Sequence, residues 1–107
     1  AGVDVVLHAC DDDVTEYFVQ ARVLSREIFP KRPFDPKGLS STRLLALLVT
    51  SGVSCQTLGY CICAAVNGKE LHVEQLAITE GLPMPNLGSI LLNWAVVRAQ
   101  ALGCQVV

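Results

Sequence analysis

Charged and aromatic residues are scarce in this sequence. Only 17% of its 107 residues are charged and 6% are aromatic, whereas 51% are hydrophobic, and the formal net charge is -2. A chain this rich in apolar residues can bury enough surface to fold, which excludes intrinsic disorder. No stretch gathers lysine and arginine into a basic stripe, so nucleic acid is not an expected partner. We expect residues 1–107 to share one domain and one core.

Long hydrophobic runs are also missing. The longest candidate, Leu44–Val49, is far shorter than the roughly 18 residues that a membrane span needs. The first residues, Ala1–Cys10, lack the basic segment that opens a signal peptide. We therefore expect a protein of the cytoplasm or the nucleus, with no membrane partner.

The cysteines are neither even in number nor spaced for a metal site. Five of them stand at positions 10, 55, 61, 63 and 104. An odd count, with most members in apolar strand-like runs, is typical of reduced and buried thiols in an intracellular protein. Because no second Cys or His pair stands near Cys61-x-Cys63, no metal is expected.

Hydrophobic periodicity divides the first half of the chain into a strand, a helix and a strand. Val3–Cys10 is almost continuously apolar, as in a buried strand, and Asp11–Asp13 can cap the helix that follows. This helix reaches Ile28 and is stopped by prolines. The leucines of Thr42–Thr50 would also suit a helix, but the turn residues that follow limit the segment to strand length, which favours a strand.

A β-hairpin is predicted around Asn67-Gly68. Asn-Gly favours the positive φ angles of a type I′ turn, so the strand that begins near Glu70 should fold back antiparallel onto Thr57–Val66. The alternating apolar residues of Thr57–Val66 are expected to share one face: Leu58, Tyr60, Ile62 and Ala64.

The apolar face of the next strand changes side along its length. Leu71 and Val73 are apolar at odd positions, whereas Leu76 and Ile78 are apolar at even ones. Because side chains alternate faces with period two, one extra residue near Glu74–Gln75 would explain the change, which predicts a β-bulge. A strand buried on both faces would give the same pattern and is the alternative.

A second helix and a further strand follow. The apolar spacing of Leu87–Leu102 predicts a helix, and Gly103 stands where a C-terminal cap is expected. Cys104–Val107 begins a strand. Residues 71–107 are therefore predicted to form a strand, a crossover helix and a parallel strand.

Two segments of this unit follow the pattern of a known family. They are Leu71–Ile78 (LHVEQLAI) and Leu87–Ala95 (LGSILLNWA), and the Ala101–Cys104 tail follows them. In these residues the chain resembles the GNAT superfamily of acetyl-CoA-dependent N-acetyltransferases. The element order β-α-β-β-β-α-β extends the resemblance over nearly the whole chain. It implies an α/β (α+β) fold with a GNAT-like mixed sheet. That sheet is expected to be incomplete at the C-terminus, because the last helix and two strands of the family have no counterpart, so a partner chain or second half would complete it.

The resemblance implies an acetyl-CoA site around the bulged strand and the second helix. In the family, this strand splays from the next one, the opening takes the pantetheine arm, and a glycine-containing loop wraps the pyrophosphate at the helix N-terminus. The positions implied here are Leu76, Ala77, Ile78, Met84, Asn86, Leu87, Gly88 and Ser89.

The loop departs from the family pattern [Gln/Arg]-x-x-Gly-x-[Gly/Ala]. With Gly88 aligned to the last glycine, Pro83 falls at the Gln/Arg position and Asn86 at the first glycine. Pro83 and Pro85 have no N–H to donate to a phosphate oxygen, so weaker acetyl-CoA binding is expected.

The resemblance also implies a general base. In the family, a glutamate or histidine on this strand face removes the proton of the acceptor amine, because an ammonium has no lone pair with which to attack the thioester. His72 and Glu74 stand two residues apart on one face, and either could serve. The acceptor would be a primary amine: a protein lysine, a protein N-terminus or a small amine.

The same residues allow a less specific interpretation. Polar residues at alternate positions, such as His72 and Glu74, are common on a solvated hairpin, and Gly88 with Ser89 could simply start a helix. The second hypothesis is accordingly a non-catalytic GNAT-like module with lost or weakened acetyl-CoA binding. The two prolines favour the module, whereas the bulge and the His72/Glu74 pair favour the enzyme.

Overall fold

The computed structural model describes residues 3–7, 15–34, 43–50, 56–80 and 86–106. They form the elements β1 (Val3–Leu7), α1 (Thr15–Ile28), β2 (Arg43–Thr50), β3 (Thr57–Val66), β4 (Glu70–Ile78), α2 (Leu87–Leu102) and β5 (Gln105–Val106). This confirms the predicted order of elements. The predictions made for Asp11–Asp13, Met84 and the two loop prolines lie outside the described residues.

The described strands form one mixed sheet in the order β1-β2-β3-β4-β5. The first three pairings are antiparallel, and β4 pairs with β5 in parallel. A parallel pair needs a crossover connection, and α2 provides it, as predicted. Neither of the two helices in the described ranges is long and apolar enough to span a membrane.

The hairpin between β3 and β4 turns at Asn67-Gly68, as predicted. Asn67 and Gly68 have φ angles of 55° and 66°, in the left-handed region that these two residue types tolerate best. The N–H of Lys69 donates to the carbonyl oxygen of Val66 at 3.2 Å and closes the turn. This turn fixes which residues of β3 and β4 face each other.

The predicted β-bulge is present in β4. The register of β3 against β4 shifts between Ile62 and Cys63 and skips Glu74. Val73 and Leu76 consequently pack on the same side of the sheet, with α2. The bulge therefore explains the change of apolar face.

A second shift, in β3, corrects the prediction that Leu58 shares a face with Tyr60 and Ile62. The register of β2 against β3 shifts between Leu48 and Val49 and skips Leu58. Leu58 therefore packs on the α2 side, whereas Tyr60 and Ile62 pack on the α1 side. Because this part of β3 is buried on both faces, its apolar pattern gave no sign of the shift.

Each face of the sheet carries its own apolar core. The α1-side core includes Ala21, Leu24, Leu45, Leu47, Tyr60 and Ile62. The α2-side core includes Ala46, Leu48, Cys61, Leu71, Leu91 and Ala95, and Trp94 packs against it. β4 contributes to both cores, so a site at its bulge is held from two sides.

Candidate functional site

A groove lies beside the bulge on the α1 side of the sheet. Its volume is about 540 Å³, and it is bordered by the turn after α1, the start of β2 and the bulge. An ordinary strand would point Glu74 and Gln75 to opposite faces, but the bulge lets both reach this groove. The residues that line this bulge groove are Phe29, Arg32, Pro33, Phe34, Arg43, Glu74 and Gln75.

Glu74 forms an ion pair in the bulge groove. Its Oε1 accepts a hydrogen bond from Nε of Arg43 at 2.6 Å, and the two side chains are 38% and 37% exposed. An ion pair this exposed contributes at most about 1 kcal/mol. The carboxylate of Glu74 can therefore exchange Arg43 for another cation at low cost, which an amine-binding group must do.

His72, the other predicted base, has a different partner. Its Nε2 lies 2.9 Å from Oε2 of Glu70, and it is not among the residues that line the bulge groove. The structure thus puts His72 and Glu74 on the same strand but does not bring them to one site. Of the two predicted bases, Glu74 is the one that lines the bulge groove.

A chain of hydrogen bonds ties the turn after α1 to the bulge. The hydroxyl of Tyr60 donates to Oε1 of Gln75 at 2.8 Å, and Nε2 of Gln75 donates to the carbonyl oxygen of Arg32 at 2.9 Å. The buried Oγ of Ser25 accepts from the N–H of Phe34 at 2.9 Å. Burial raises the pKa of Tyr60, an effect that its hydrogen bond with Ser25 opposes, so this phenol remains a donor at neutral pH.

The edge of β4 that faces β5 is only partly paired. β4 pairs with β5 at Glu70 and Leu71, and the remaining described residues of β4 have no described strand on that side. The predicted pantetheine-binding residues Leu76–Ile78 lie on this open stretch. Some of their backbone N–H and C=O groups therefore point away from β3 with no strand partner.

The start of α2 presents backbone N–H donors. Asn86 has φ 63° and ψ 25°, in the left-handed region, and its side chain does not cap the helix. The first helical hydrogen bond runs from the N–H of Ile90 to Asn86 at 3.3 Å, so the N–H groups of Leu87, Gly88 and Ser89 have no partner within the helix. With no acidic residue in the first turn, this positive helix end can bind an anion.

Two glycines near these elements have different roles. A Cβ at Gly88 would meet only Cδ2 of Leu76, at 3.8 Å, so packing does not require glycine there. A Cβ at Gly59 would lie 2.5 Å from the carbonyl oxygen of Ala77, because β3 approaches β4 closely beside the open edge. Gly59 was not predicted, since an isolated glycine in a strand has several explanations.

The described cysteines do not form a metal site or a disulfide. Cys61, Cys63 and Cys104 are free thiols, and the described ranges contain no cluster of three or more His, Cys, Asp or Glu suited to a metal. The Sγ atoms of Cys61 and Cys63 lie 3.4 Å apart in the α2-side core. This contact, together with burial, raises the pKa of Cys61, so it stays a neutral thiol. Cys10 and Cys55 lie outside the described residues.

Three residues of the site were not predicted from the sequence: Arg43, Tyr60 and Gln75. Arg43 contacts a residue 31 positions away, and Tyr60 contacts one 15 positions away. The one signal that could have identified Arg43 is that it is a charged residue at the start of an otherwise largely apolar strand.

Solved acetyltransferase structures share this fold. The aminoglycoside acetyltransferase AAC(6')-Iy, in complex with a CoA bisubstrate analogue, aligns with 100% of this chain and 78% of its own, with a TM-score of 0.73 and 14% identity. An aminoglycoside 6'-N-acetyltransferase complexed with coenzyme A aligns over 94% of this chain and 57% of its own, with a TM-score of 0.75 and 12% identity. A GNAT-family acetyltransferase from Staphylococcus aureus aligns over 92% and 66%, with a TM-score of 0.64 and 9% identity.

The structural likeness is one of fold. The chain spans little more than half the length of the second of these structures. No family model and no curated sequence matches the chain. Sequence identities this low indicate a shared fold and no more. The chain has the mixed sheet and the element order of GNAT acetyltransferases, as the sequence predicted.

Proposed function

We propose that this protein transfers the acetyl group of acetyl-CoA to a primary amine. The observation that carries the proposal is the bulge of β4. Glu74 borders a groove on one side of the bulge, and the open edge of β4 leads on towards the uncapped start of α2. The shared fold of acetyltransferases crystallised with CoA or a CoA analogue supports the proposal.

The residues at the cofactor end fit acetyl-CoA. The N–H groups of Leu87, Gly88 and Ser89 would hold the pyrophosphate, since they have no helical partner and no acidic neighbour in the first turn. The open backbone edge at Leu76–Ile78 would hold the pantetheine arm. Acetyl-CoA, when bound, supplies the activated acetyl group. A contribution of Met84 stays a prediction.

Glu74 would act as the general base. It would take a proton from the acceptor ammonium, which frees the nitrogen lone pair to attack the thioester carbon. The C–N bond would form and the C–S bond would break, and the sulfur would leave as the thiolate of CoA, which takes up the proton that the nitrogen loses as the amide forms. Arg43 would hold Glu74 at the groove through their ion pair until the acceptor ammonium takes its place. His72, which is bound to Glu70 instead, would at most influence the path of the proton to solvent.

A non-catalytic GNAT-like module is the second candidate. The observation that favours it is the solvent side of α2, where four large apolar residues are exposed: Leu92, Val96, Val97 and Leu102. A partner chain or second half that completes the sheet could cover them. On this alternative, the Glu74–Arg43 pair would have a structural role alone.

An assay of CoA release separates the two candidates. The protein is incubated with acetyl-CoA and a lysine-containing peptide, a peptide with a free N-terminus or a small amine. The enzyme proposal predicts CoA release that depends on one of the amines. Binding of acetyl-CoA without amine-dependent release would favour the module, and absence of binding would rule out the enzyme.

We also propose a cytoplasmic or nuclear location. The free thiols of Cys61, Cys63 and Cys104 support it, because such compartments keep cysteines reduced. Detection of the tagged protein in fractionated cells tests this proposal, and recovery in a secreted fraction would contradict it.

A further inference from the structure

Among the described residues that line the bulge groove, positive charges outnumber negative ones. Two arginines, Arg32 and Arg43, border it together with one acidic residue, Glu74. Arg43 is paired with Glu74 at 2.6 Å, which leaves the charge of Arg32 uncompensated among these described lining residues. Lys31, next to Arg32, is exposed and adds a further positive charge nearby.

The backbone of Arg32 is held at both of its polar groups. Its N–H donates to the carbonyl oxygen of Phe29 at 3.1 Å, and its own carbonyl oxygen accepts from Nε2 of Gln75 at 2.9 Å. Phe34, two residues after Arg32, is buried and packs edge-on against Tyr60, with ring centroids 5.2 Å apart. Arg32 is exposed, and its side chain starts from a fixed backbone position at the rim of the groove, which lowers the entropy that binding would cost.

The groove thus has two chemically different ends. Glu74, at the bulge, suits an ammonium, whereas Arg32, on the turn, suits a planar anion through its paired N–H donors. A volume of about 540 Å³ is in the range of small-molecule sites. A polycation would meet the uncompensated charge of Arg32, so it is a poor fit.

We propose that the acceptor is a small primary amine that carries a carboxylate, and that Arg32 is the residue that selects it. This proposal rests on the proposed acetyl transfer, for which it names the substrate class. The carboxylate binds the guanidinium of Arg32, and the amine lies towards Glu74. Aminoglycosides, named as substrates of structurally similar enzymes, are polycations and are disfavoured here.

Matched acceptor pairs test this proposal. Each pair consists of an amino acid and its carboxamide, for example β-alanine and β-alaninamide, and an aminoglycoside serves as a third acceptor. We expect kcat/KM to be about tenfold or more higher for the carboxylate, as for a charge-assisted hydrogen bond. Arg32→Gln should abolish the preference by raising KM while kcat stays close to that of the wild type. Lys31→Gln, which removes the adjacent charge, is the control and should keep the preference.

Binding measurements without acetyl-CoA keep the two proposals distinguishable. Calorimetry with the same carboxylates and carboxamides should show carboxylate binding that Arg32→Gln removes and Lys31→Gln retains. Equal binding of both members of a pair, or better use of the aminoglycoside, would overturn the carboxylate proposal. Arg32-dependent carboxylate binding without any acetyl transfer would overturn the proposed function alone.

Discussion

The two faces of β4 differ sharply at the bulge. On the α1 side, Glu74 and Gln75 border the bulge groove. There Glu74 binds a side chain of β2, and Gln75 binds a side chain of β3 and a backbone carbonyl of the turn after α1. On the α2 side, Val73 and Leu76 pack into an apolar core under α2. One inserted residue separates the two kinds of chemistry.

The difference shows what the bulge contributes. Glu74 is the extra residue of the bulge. In a strand without it, side chains would alternate strictly between the two faces. Either a polar side chain would then enter the α2-side core, or an apolar one would face the groove. The bulge allows both faces to keep their character while two polar side chains reach one site. We therefore expect changes to the charged residues of the bulge groove to affect activity and changes in the α2-side core to affect stability.

The largest effect is expected on the α1 side. Glu74→Gln should lower kcat by about 10²–10⁴-fold, as for loss of a general base, because the amide cannot take up the proton. Acetyl-CoA affinity should be unchanged. Glu27→Gln, an exposed position on α1 outside the bulge groove, is the control and should retain full activity. Wild-type kcat in Glu74→Gln would remove the base from the mechanism.

Neighbouring leucines of α2 provide the stability test. Leu91 is fully buried in the α2-side core, whereas Leu92 is 46% exposed. Leu91→Ala should lower the free energy of unfolding by about 2–5 kcal/mol through the lost contacts and the cavity. Leu92→Ala should change it by less than about 0.5 kcal/mol. Urea unfolding measures both. A large loss for Leu92→Ala would indicate that its exposed face is covered in solution.

Gly59 and Gly88, near the proposed acetyl-CoA site, should differ in their effect on stability. Gly59→Ala should destabilise the protein by about 1–3 kcal/mol, because a Cβ there would overlap the carbonyl oxygen of Ala77. Gly88→Ala meets only an ordinary contact with Leu76 and should leave the unfolding free energy almost unchanged. Thermal unfolding of the two variants side by side decides this. Equal destabilisation would mean that Gly88 also serves packing.

The smallest effect concerns Tyr60, which lies on the α1 side and donates a hydrogen bond to Gln75 at the bulge. Its pKa is raised in the folded state, chiefly by burial, so the unfolded phenol ionises first. The corresponding stability is fully present below about pH 10 and is lost as the pH rises through the folded pKa. Tyr60→Phe should lower the free energy of unfolding by about 1 kcal/mol at pH 7. It should also reduce the loss of stability at alkaline pH. An unchanged slope between pH 9 and pH 11 would contradict this assignment.

Local patterns were sufficient to predict most of the fold. The helical spacing of Leu87–Leu102, the Asn67-Gly68 turn and the face change in β4 each involve residues close in sequence. The bulge could be predicted because β4 has one polar face, so a shift of register became visible. The shift at Leu58 could not, since β3 is apolar on both of its faces there.

The site was less accessible to sequence reasoning. Glu74 could be proposed from its strand and from the family resemblance, but its partner Arg43 joins it only through the sheet. The same holds for Gln75, whose contact with the carbonyl oxygen of Arg32 spans 43 residues. Such contacts depend on the order of strands, which no local pattern contains.

Calorimetric titration of acetyl-CoA into the protein tests the central claim most directly. We expect saturable binding that depends on the uncapped start of α2. Ser89→Asp, which adds a negative charge at that helix end, should weaken the affinity by roughly tenfold or more, whereas Ser89→Asn should have little effect. Absence of binding at millimolar acetyl-CoA, or equal affinity of Ser89→Asp and the wild type, would contradict it.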